Sequence, residues 1–258
     1  MKKYLVLSII LSGFIFGSCQ KEEAVDVPGN IPGMGDNNSA LEVKPISLPE
    51  NVAVVGEIRG YVENNKSAST FPNYKIFGGS GEFIRLEYTV KNINNIAVTV
   101  FFPAGTIFQS SNLAYQHGIL LQWTWFCIPA NSQRTIVLYL YCINKGKNNS
   151  DASNTYQMAG QTTSRPIMNL LNMLKLKKVN HEFFNHLKSA SADDYGYNTI
   201  SDQMQKALWA LTNDGTEVPA EIKAYINALP ELETEKIPEK LINDKADLPL
   251  FFEEYVAE

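Results

Sequence analysis

The sequence predicts an α+β protein in which an antiparallel β-sandwich-like N-terminal part is followed by a mainly helical C-terminal part. Two observations lead to this prediction. Between about residues 46 and 145, segments rich in β-branched and aromatic residues alternate with turns that contain Gly, Pro and Asn. From residue 146 onward, apolar residues recur at helical spacing instead.

The predicted β-rich domain, residues 46–145, contains four segments that favour strands. They read FIRLEYTVKN, IAVTVFF, GILLQWTWFCI and RTIVLYLYCI, and the short turns INN, PAG and PANSQ lie between them. Strands joined by such short connections pair antiparallel. An antiparallel sandwich or a partly open barrel accounts for this pattern.

The predicted helical part, residues 146–230, begins with the polar loop KGKNNSDASNT. Pro166 suits a first helical turn, and the apolar residues after it are spaced as on one helix face. Ser201 is the predicted N-cap of a later helix, which buries Met204 and Leu208. Residues 231–258 form a predicted charged tail that packs on the body, if at all, through one apolar cluster.

The N-terminal sequence MKKYLVLSIILSGFIFGSCQ has the layout of an export signal. Its basic start precedes an apolar run of about 13 residues, which is too short for the roughly 20 that span a bilayer. The Gly17-Ser18-Cys19 end resembles the lipobox of bacterial lipoproteins. That resemblance implies a signal peptide over residues 1–18 and a membrane anchor of palmitate-type chains on Cys19. An ordinary secretory peptide followed by a chance cysteine is the alternative.

The residues around Cys19 also indicate a location. Gln20 is not the aspartate that retains lipoproteins at the inner membrane, so the resemblance implies the outer membrane. The acidic residues that follow resemble signals for the cell surface. Residues 19–45 are rich in Pro, Gly and Asn and predict a flexible tether.

The charge of the mature chain restricts its partners. Removing Lys2 and Lys3 with the signal leaves 20 of 22 basic residues against 27 acidic ones, a net charge of −7. Such a chain does not attract nucleic acid or anionic lipid electrostatically.

Two cysteines besides Cys19 occur, Cys127 and Cys142, and an exported protein could pair them. A hairpin of their two segments would place them roughly 25 Å apart, too far for a disulfide, whereas a pairing on non-adjacent strands stays open. Cys142 alternates in phase with Ile136, Leu138 and Leu140, so a buried thiol is another interpretation.

Two short motifs connect Cys142 with a glutamine. The first is Tyr141-Cys142-Ile143, and the second is Gln205-Lys206-Ala207-Leu208-Trp209. In this order they resemble the thioester domains of bacterial surface adhesins, a resemblance that covers residues 119–212. In that family the cysteine and glutamine side chains condense into an internal thioester. A third family motif, a glutamine among hydrophobic residues, has a possible match at Gln157.

The chemistry of such a pair follows from its groups. A cysteine thiolate is a strong nucleophile, and a glutamine amide held against it can lose ammonia to give an acyl–sulfur bond. A partner amine can then take the acyl group. Tyr141 and Trp209 flank the two reacting residues and suit a water-shielded pocket, and Trp209 lies one helical turn after Gln205.

We therefore expect a non-enzymatic surface lipoprotein for adhesion or ligand capture, with Cys142 and Gln205 as a candidate thioester and no cofactor. The alternative is a non-covalent module that binds a glycan or a protein, in which both residues are structural. Trp123 and Trp125 share a sheet face and would stack on sugars if exposed, although a core role is favoured. His181 and His186 lack the spacing of a helical metal pair, and no metal is expected.

Overall fold

The computed structural model describes residues 25–61, 76–184 and 196–233. The strands are β1 Val43–Lys44, β2 Val52–Gly60, β3 Ile76–Gly78, β4 Ile84–Asn92, β5 Val98–Phe102, β6 Thr106–Ser110, β7 Gly118–Ile119, β8 Thr124–Ile128, β9 Ser132–Cys142 and β10 Thr155–Thr162. The helices are α1 Arg165–Leu174, α2 Tyr197–Thr212 and α3 Ala220–Ala228, and a 3-10 helix spans His181–Phe183.

Six strands close into a barrel. Their order is β10, β2, β4, β9, β7 and β6, and β6 pairs back with β10. All of these pairings are antiparallel, and the longest joins β4 to β9 from Ile84↔Leu140 to Asn92↔Ser132. β1 pairs with β10, and β3 pairs in parallel with β9. β5 and β8 form a separate two-stranded sheet whose apolar side chains join the barrel interior.

Alternation along β9 divides its side chains between two cores. Ile136, Leu138, Leu140 and Cys142 lie in the interior cluster, as the spacing predicts. Tyr141 lies instead in a second core outside the barrel. That second core contains the buried faces of α1, α2 and α3, which pack against residues of β6, β7 and β9. β9 therefore separates the barrel interior from the helical layer.

The prediction of an antiparallel β-rich N-terminal part is confirmed, whereas the prediction of a mainly helical C-terminal part is wrong. The three helices are short, and β10 lies within the segment 146–230 that was expected to be helical. β10 closes the barrel by pairing with both β2 and β6. Its sequence, TYQMAGQT, contains Gly, Ala and two Gln, so its strand propensity is low. Pairing with the neighbouring barrel strands stabilises the extended conformation instead.

The expected hairpin between the two cysteine-bearing segments does not form. β8 pairs with β5, and β9 follows β8 along the chain but pairs with β4, β7 and β3. The short turn between β8 and β9 joins two sheets rather than two neighbouring strands.

Part of the predicted tether, residues 19–45, packs on the body from residue 25 onward. Ile31 and Met34 are 1% exposed and belong to the helical core. Gly35 donates its N–H to the Ile143 carbonyl at 2.7 Å, and a Cβ at Gly35, where φ is 59°, would collide with the Thr212 carbonyl. The glycines expected to make this segment flexible therefore allow its close approach to the body.

The predicted signal peptide, Cys19 and the charged tail beyond residue 233 lie outside the described residues. Within the described part of the chain, every helix is too short or too polar to cross a membrane.

Candidate functional site

The candidate site forms where β9 extends beyond the end of its neighbour β4. Leu140 is the last residue of β9 that pairs with β4. The Tyr139 carbonyl and the Ile143 N–H both form hydrogen bonds on the side of β9 where β3 and β7 lie. Because successive residues of a strand direct their polar groups to opposite sides, the N–H and C=O of Cys142 face the β4 side, where the ladder has ended.

The side-chain amide of Gln205 occupies the place of the missing strand. The Cys142 N–H donates to Gln205 Oε1 at 2.9 Å, and Gln205 Nε2 donates to the Cys142 carbonyl at 2.8 Å. Both residues are buried, with 0% and 2% exposure. A glutamine in the middle of α2 thus satisfies two backbone groups that would otherwise be buried without partners.

These two hydrogen bonds also determine how close the amide lies to the thiol. With a C=O bond of about 1.2 Å, the Gln205 amide carbon lies within about 4 Å of the Cys142 nitrogen. The sulfur belongs to the same residue as that nitrogen, so it lies within roughly 8 Å of the amide carbon whatever its rotamer. The thiol and the amide are therefore neighbours in this site.

The Cys142 sulfur is buried in the barrel interior. The Asn144 N–H donates to Sγ at 3.3 Å. Burial raises the pKa of the thiol to about 11, and the Asn144 N–H, the Trp209 indole and the charge of Lys147 offset only part of this rise. An unreacted Cys142 is accordingly a neutral thiol at physiological pH.

Trp209 covers this end of the barrel, one helical turn after Gln205. It packs against the interior cluster that contains Cys142. Its ring lies between Phe83, at 5.1 Å between centroids, and the Lys145 ammonium, 5.3 Å from the ring centre. Its buried Nε1 makes no hydrogen bond of ordinary geometry with the described residues, although the indole lies close enough to favour the thiolate of Cys142. The helical spacing of Gln205 and Trp209 thus places both beside the thiol.

Tyr156, on β10, is a second aromatic residue beside the thiol. Its ring belongs to the same interior cluster as Cys142, and its hydroxyl is buried without a hydrogen bond in the described structure. Burial raises the pKa of Tyr156 to about 12, and the nearby Cys142 and Asp151 contribute to the rise while Asn154 opposes it. The Tyr156 hydroxyl and the Trp209 N–H are therefore both buried at the cluster that contains Cys142, without hydrogen bonds of ordinary geometry.

Two of the predicted pocket residues lie elsewhere. Gln157 is exposed on the outer face of β10, where its amide donates to Gln109 across the strand pair at 3.5 Å. Tyr141 points into the helical core, away from the Cys142 side chain. Both predictions failed because neighbouring residues of a strand face opposite ways, so the residues beside Cys142 and Tyr156 in sequence cannot share their side of the sheet.

Sequence reasoning missed Tyr156, Asn144 and Lys145. The signal for Tyr156 was present, because it precedes Gln157 and its aromatic character fits the buried face of a strand. Asn144 and Lys145 follow Cys142 directly, but a polar loop gives no periodicity from which their contacts could be deduced.

The alternative disulfide is not formed, since Cys127 and Cys142 are both free thiols. Cys142 faces the barrel interior, whereas Cys127 lies on β8 opposite Thr99 of the two-stranded sheet. Within the described ranges, no group of three or more His, Cys, Asp or Glu side chains is arranged to hold a metal ion.

The predicted tryptophan pair does not form an exposed platform. Trp123 is 3% exposed and packs against Phe101 and Phe183, with ring centroids 6.5 and 5.9 Å away. Trp125 is 40% exposed on its own. One buried and one exposed ring cannot together stack on a sugar.

The site at the end of β9 thus brings together the buried thiol of Cys142, the side-chain amide of Gln205 and the indole of Trp209. Its chemistry has to be inferred from these residues, because no model of a protein family matches the chain and no curated protein or solved structure is similar to it.

Proposed function

We propose that the protein is a surface-anchored lipoprotein for adhesion or ligand capture, and that Cys142 and Gln205 form an internal thioester which acylates an amine of the partner. One observation carries the proposal. The Gln205 amide is held by two hydrogen bonds against the backbone of Cys142, in a buried site at the barrel edge.

Formation of the thioester needs no further reactant. The Cys142 sulfur attacks the Gln205 amide carbon, an S–C bond forms, and the C–N bond breaks. The thiol proton leaves with the amide nitrogen as ammonia, so the chain loses one ammonia and gains one cross-link. During the attack, negative charge develops on Gln205 Oε1, which already accepts the Cys142 N–H.

Burial tolerates the cross-linked form as well as the neutral thiol and disfavours only the thiolate. Desolvation raises the pKa of Cys142 because a charged sulfur is poorly solvated in the barrel interior. A thioester sulfur carries no charge and incurs no such penalty. The same apolar surroundings keep water from hydrolysing the acyl–sulfur bond before a partner arrives.

The proposed anchor on Cys19 would hold this site close to the membrane. The body begins by residue 25, so only residues 19–24 separate it from the lipid. Six residues span at most about 20 Å when fully extended. The packed segment 25–45 thus shortens the reach expected of a flexible tether and keeps the body near the bilayer.

Intact mass of the purified full chain tests the thioester. We expect the wild-type mass to be about 17 Da below the mass calculated for the same processed form, and Cys142→Ala and Gln205→Ala each to abolish that deficit. Comparing variants prepared in the same way removes any contribution from the lipid. Methylamine should then add to the wild type at Gln205 and release a thiol at Cys142.

Two matched controls are available in the chain. Cys127→Ala removes the other described cysteine, and Gln157→Ala removes the other candidate glutamine. Both should retain the deficit of about 17 Da. A wild-type mass without the deficit would overturn the proposal and leave Gln205 as a structural residue that completes the β9 edge in a non-covalent binding module.

A further inference from the structure

The exposed side of Trp209 already binds a cation. The Lys145 ammonium lies 5.3 Å from the centre of the indole ring and 3.3 Å from the Asp214 carboxylate. An aromatic face together with a carboxylate is a recognition site for ammonium groups. Here the occupant is a side chain of the protein itself, located three residues after Cys142.

The ring and the carboxylate are fixed relative to each other by the end of α2. The backbone N–H groups of Asn213 and Asp214 both donate to the Trp209 carbonyl at 2.9 Å. Asn213 Oδ1 also accepts the backbone N–H of Lys145 at 3.3 Å. The loop that carries Lys145 is thus attached to the same helix end that supplies the ring and the carboxylate.

The occupant is held weakly enough to be exchanged. The side chains of Lys145 and Asp214 are each 50% exposed, and an ion pair at such a position gains little in water. A cation over an exposed aromatic ring is also a weak contact. An ammonium group supplied by a partner would make the same two contacts and can replace Lys145 at little cost.

We propose that Trp209 and Asp214 form a receiving site for the side-chain ammonium of a partner lysine, and that Lys145 fills this site until the partner arrives. The inference rests on the proposed thioester, and it adds the residues that hold the acceptor amine before the reaction. Because Trp209 contacts both the ammonium and the core that holds Cys142, only the indole ring separates an amine bound there from that core.

The reaction at this site balances without another reactant. The bound ammonium first releases a proton to water. The amine then attacks the Gln205 acyl carbon, a C–N bond forms and the C–S bond breaks. The second amine proton passes to the leaving sulfur, and the raised pKa of Cys142 keeps the product a neutral thiol.

Competition between methylamine and water tests the receiving site on the full chain. Aminolysis by methylamine leaves a product about 14 Da above the calculated mass, whereas hydrolysis leaves one about 1 Da above it, so intact mass follows both reactions in one sample. We expect Lys145→Met to speed aminolysis about tenfold and to change hydrolysis little, since water needs no cation site. Lys145→Arg should keep aminolysis slow, because a guanidinium can occupy the same contacts.

A second substitution separates a receiving site from a simple cover. In the Lys145→Met background, Asp214→Asn should return aminolysis most of the way to the wild-type rate and leave hydrolysis unchanged. Lys206→Met is the matched control, because Lys206 is an exposed lysine of α2 that pairs with Asp202 at 2.7 Å. It should leave both rates at wild type.

The outcomes distinguish this inference from the function on which it rests. A wild-type chain without the ammonia deficit overturns both. A chain that keeps the deficit but shows unchanged aminolysis in Lys145→Met overturns the receiving site alone. Equal acceleration of aminolysis and hydrolysis, with no effect of Asp214→Asn, also overturns it and leaves Lys145 as a shield over the ring.

Discussion

Two polar centres lie beside β9, a buried one at Cys142 and a partly buried one at Glu182, and they differ in how their polar atoms are satisfied. Three donors converge on the carboxylate of Glu182: the Gly78 N–H at 2.8 Å, the Thr124 hydroxyl at 2.8 Å and the Asn180 amide at 3.0 Å. The Cys142 sulfur accepts one N–H, from Asn144. The Tyr156 hydroxyl and the Trp209 N–H make no hydrogen bond of ordinary geometry with the described residues, although Asn154 lowers the pKa of Tyr156 and the Trp209 indole lowers that of Cys142.

On the proposed function, this difference separates a structural centre from a reactive one. The donors around Glu182 are all used, and they tie β3, the start of β8 and the 3-10 helix together. The atom left without a partner at that centre is an acceptor, Asn180 Oδ1, whereas at the Cys142 centre two donors are left, the Tyr156 hydroxyl and the Trp209 N–H. A buried polar group without a partner is costly, so each of these atoms calls for an explanation.

Removing the thiol should have the largest effect on stability. A thioester between Cys142 and Gln205 closes a loop over a separation of 63 residues, and such a cross-link contributes about 4 kcal/mol by constraining the unfolded chain. Cys142→Ala also leaves a small cavity, at about 1 kcal/mol. Denaturant unfolding should therefore show a loss of about 5 kcal/mol.

Cys127→Ala is the control for that loss. Cys127 is partly exposed on β8, and its replacement by alanine should lower the unfolding free energy by no more than about 1 kcal/mol. The hydrogen bonds from Gln205 to the Cys142 backbone survive in Cys142→Ala. If no cross-link exists, the two alanine variants should therefore unfold at nearly the same denaturant concentration. That result would contradict the proposed thioester.

The Glu182 centre should make the unfolding free energy of the protein depend on pH. Burial raises the pKa of Glu182 from its ordinary 4.5 to about 7, and its donors oppose the rise. The folded state therefore holds a proton that the unfolded state has lost, and stability present below pH 4.5 is lost as pH rises through 7. The shift corresponds to about 3 kcal/mol.

Two histidines act in the opposite direction. Burial lowers the pKa of His117 from 6.5 to about 4, with a contribution from Lys147, and burial also lowers that of His181. The contribution of His117 is present above pH 6.5 and is lost as pH falls toward 4, and that of His181 changes in the same direction. In the wild type, the slopes of Glu182 and His117 therefore oppose each other between pH 4.5 and 6.5.

Glu182→Gln should remove the fall of the unfolding free energy with pH that Glu182 causes. Only the rise caused by the histidines should then remain in this variant. Its unfolding free energy should rise from pH 4 to 6.5 and stay level to pH 7, so that its profile diverges from that of the wild type by about 3 kcal/mol across the range. Thr124→Val removes one donor to the carboxylate and should extend the falling limb of the wild-type profile above pH 7. Parallel profiles for Glu182→Gln and wild type would show that the carboxyl is not the titrating group.

The two centres were not equally visible in the sequence. The alternation of Ile136, Leu138, Leu140 and Cys142 predicts the buried thiol, and the turn between Gln205 and Trp209 predicts that both face one side of α2. These are local periodicities. Glu182 has no such signal, because two of its three donors, Gly78 and Thr124, are distant from it in sequence.

The closure of the barrel was hidden for the same reason. β10 is a weak strand by composition, and its pairing with β2 and β6 is decided by the whole fold. Ile31 and Met34 are isolated apolar residues among Gly and Pro, and only the helical core shows why they are buried. Sequence patterns therefore indicate which face of an element is buried, but not which distant partner covers it.

The smallest effect should come from Tyr156, and it tests whether the donors beside Cys142 are unused. A buried hydroxyl without a partner contributes nothing to stability, so Tyr156→Phe should leave the unfolding free energy unchanged or raise it by up to about 1 kcal/mol. Tyr88→Phe is the matched control, since the Tyr88 hydroxyl is also buried without a partner in the interior cluster. If Tyr156→Phe alone destabilised the protein by more than about 1 kcal/mol, the hydroxyl would be making a hydrogen bond. The Cys142 centre would then resemble the Glu182 centre in using its polar atoms for the fold.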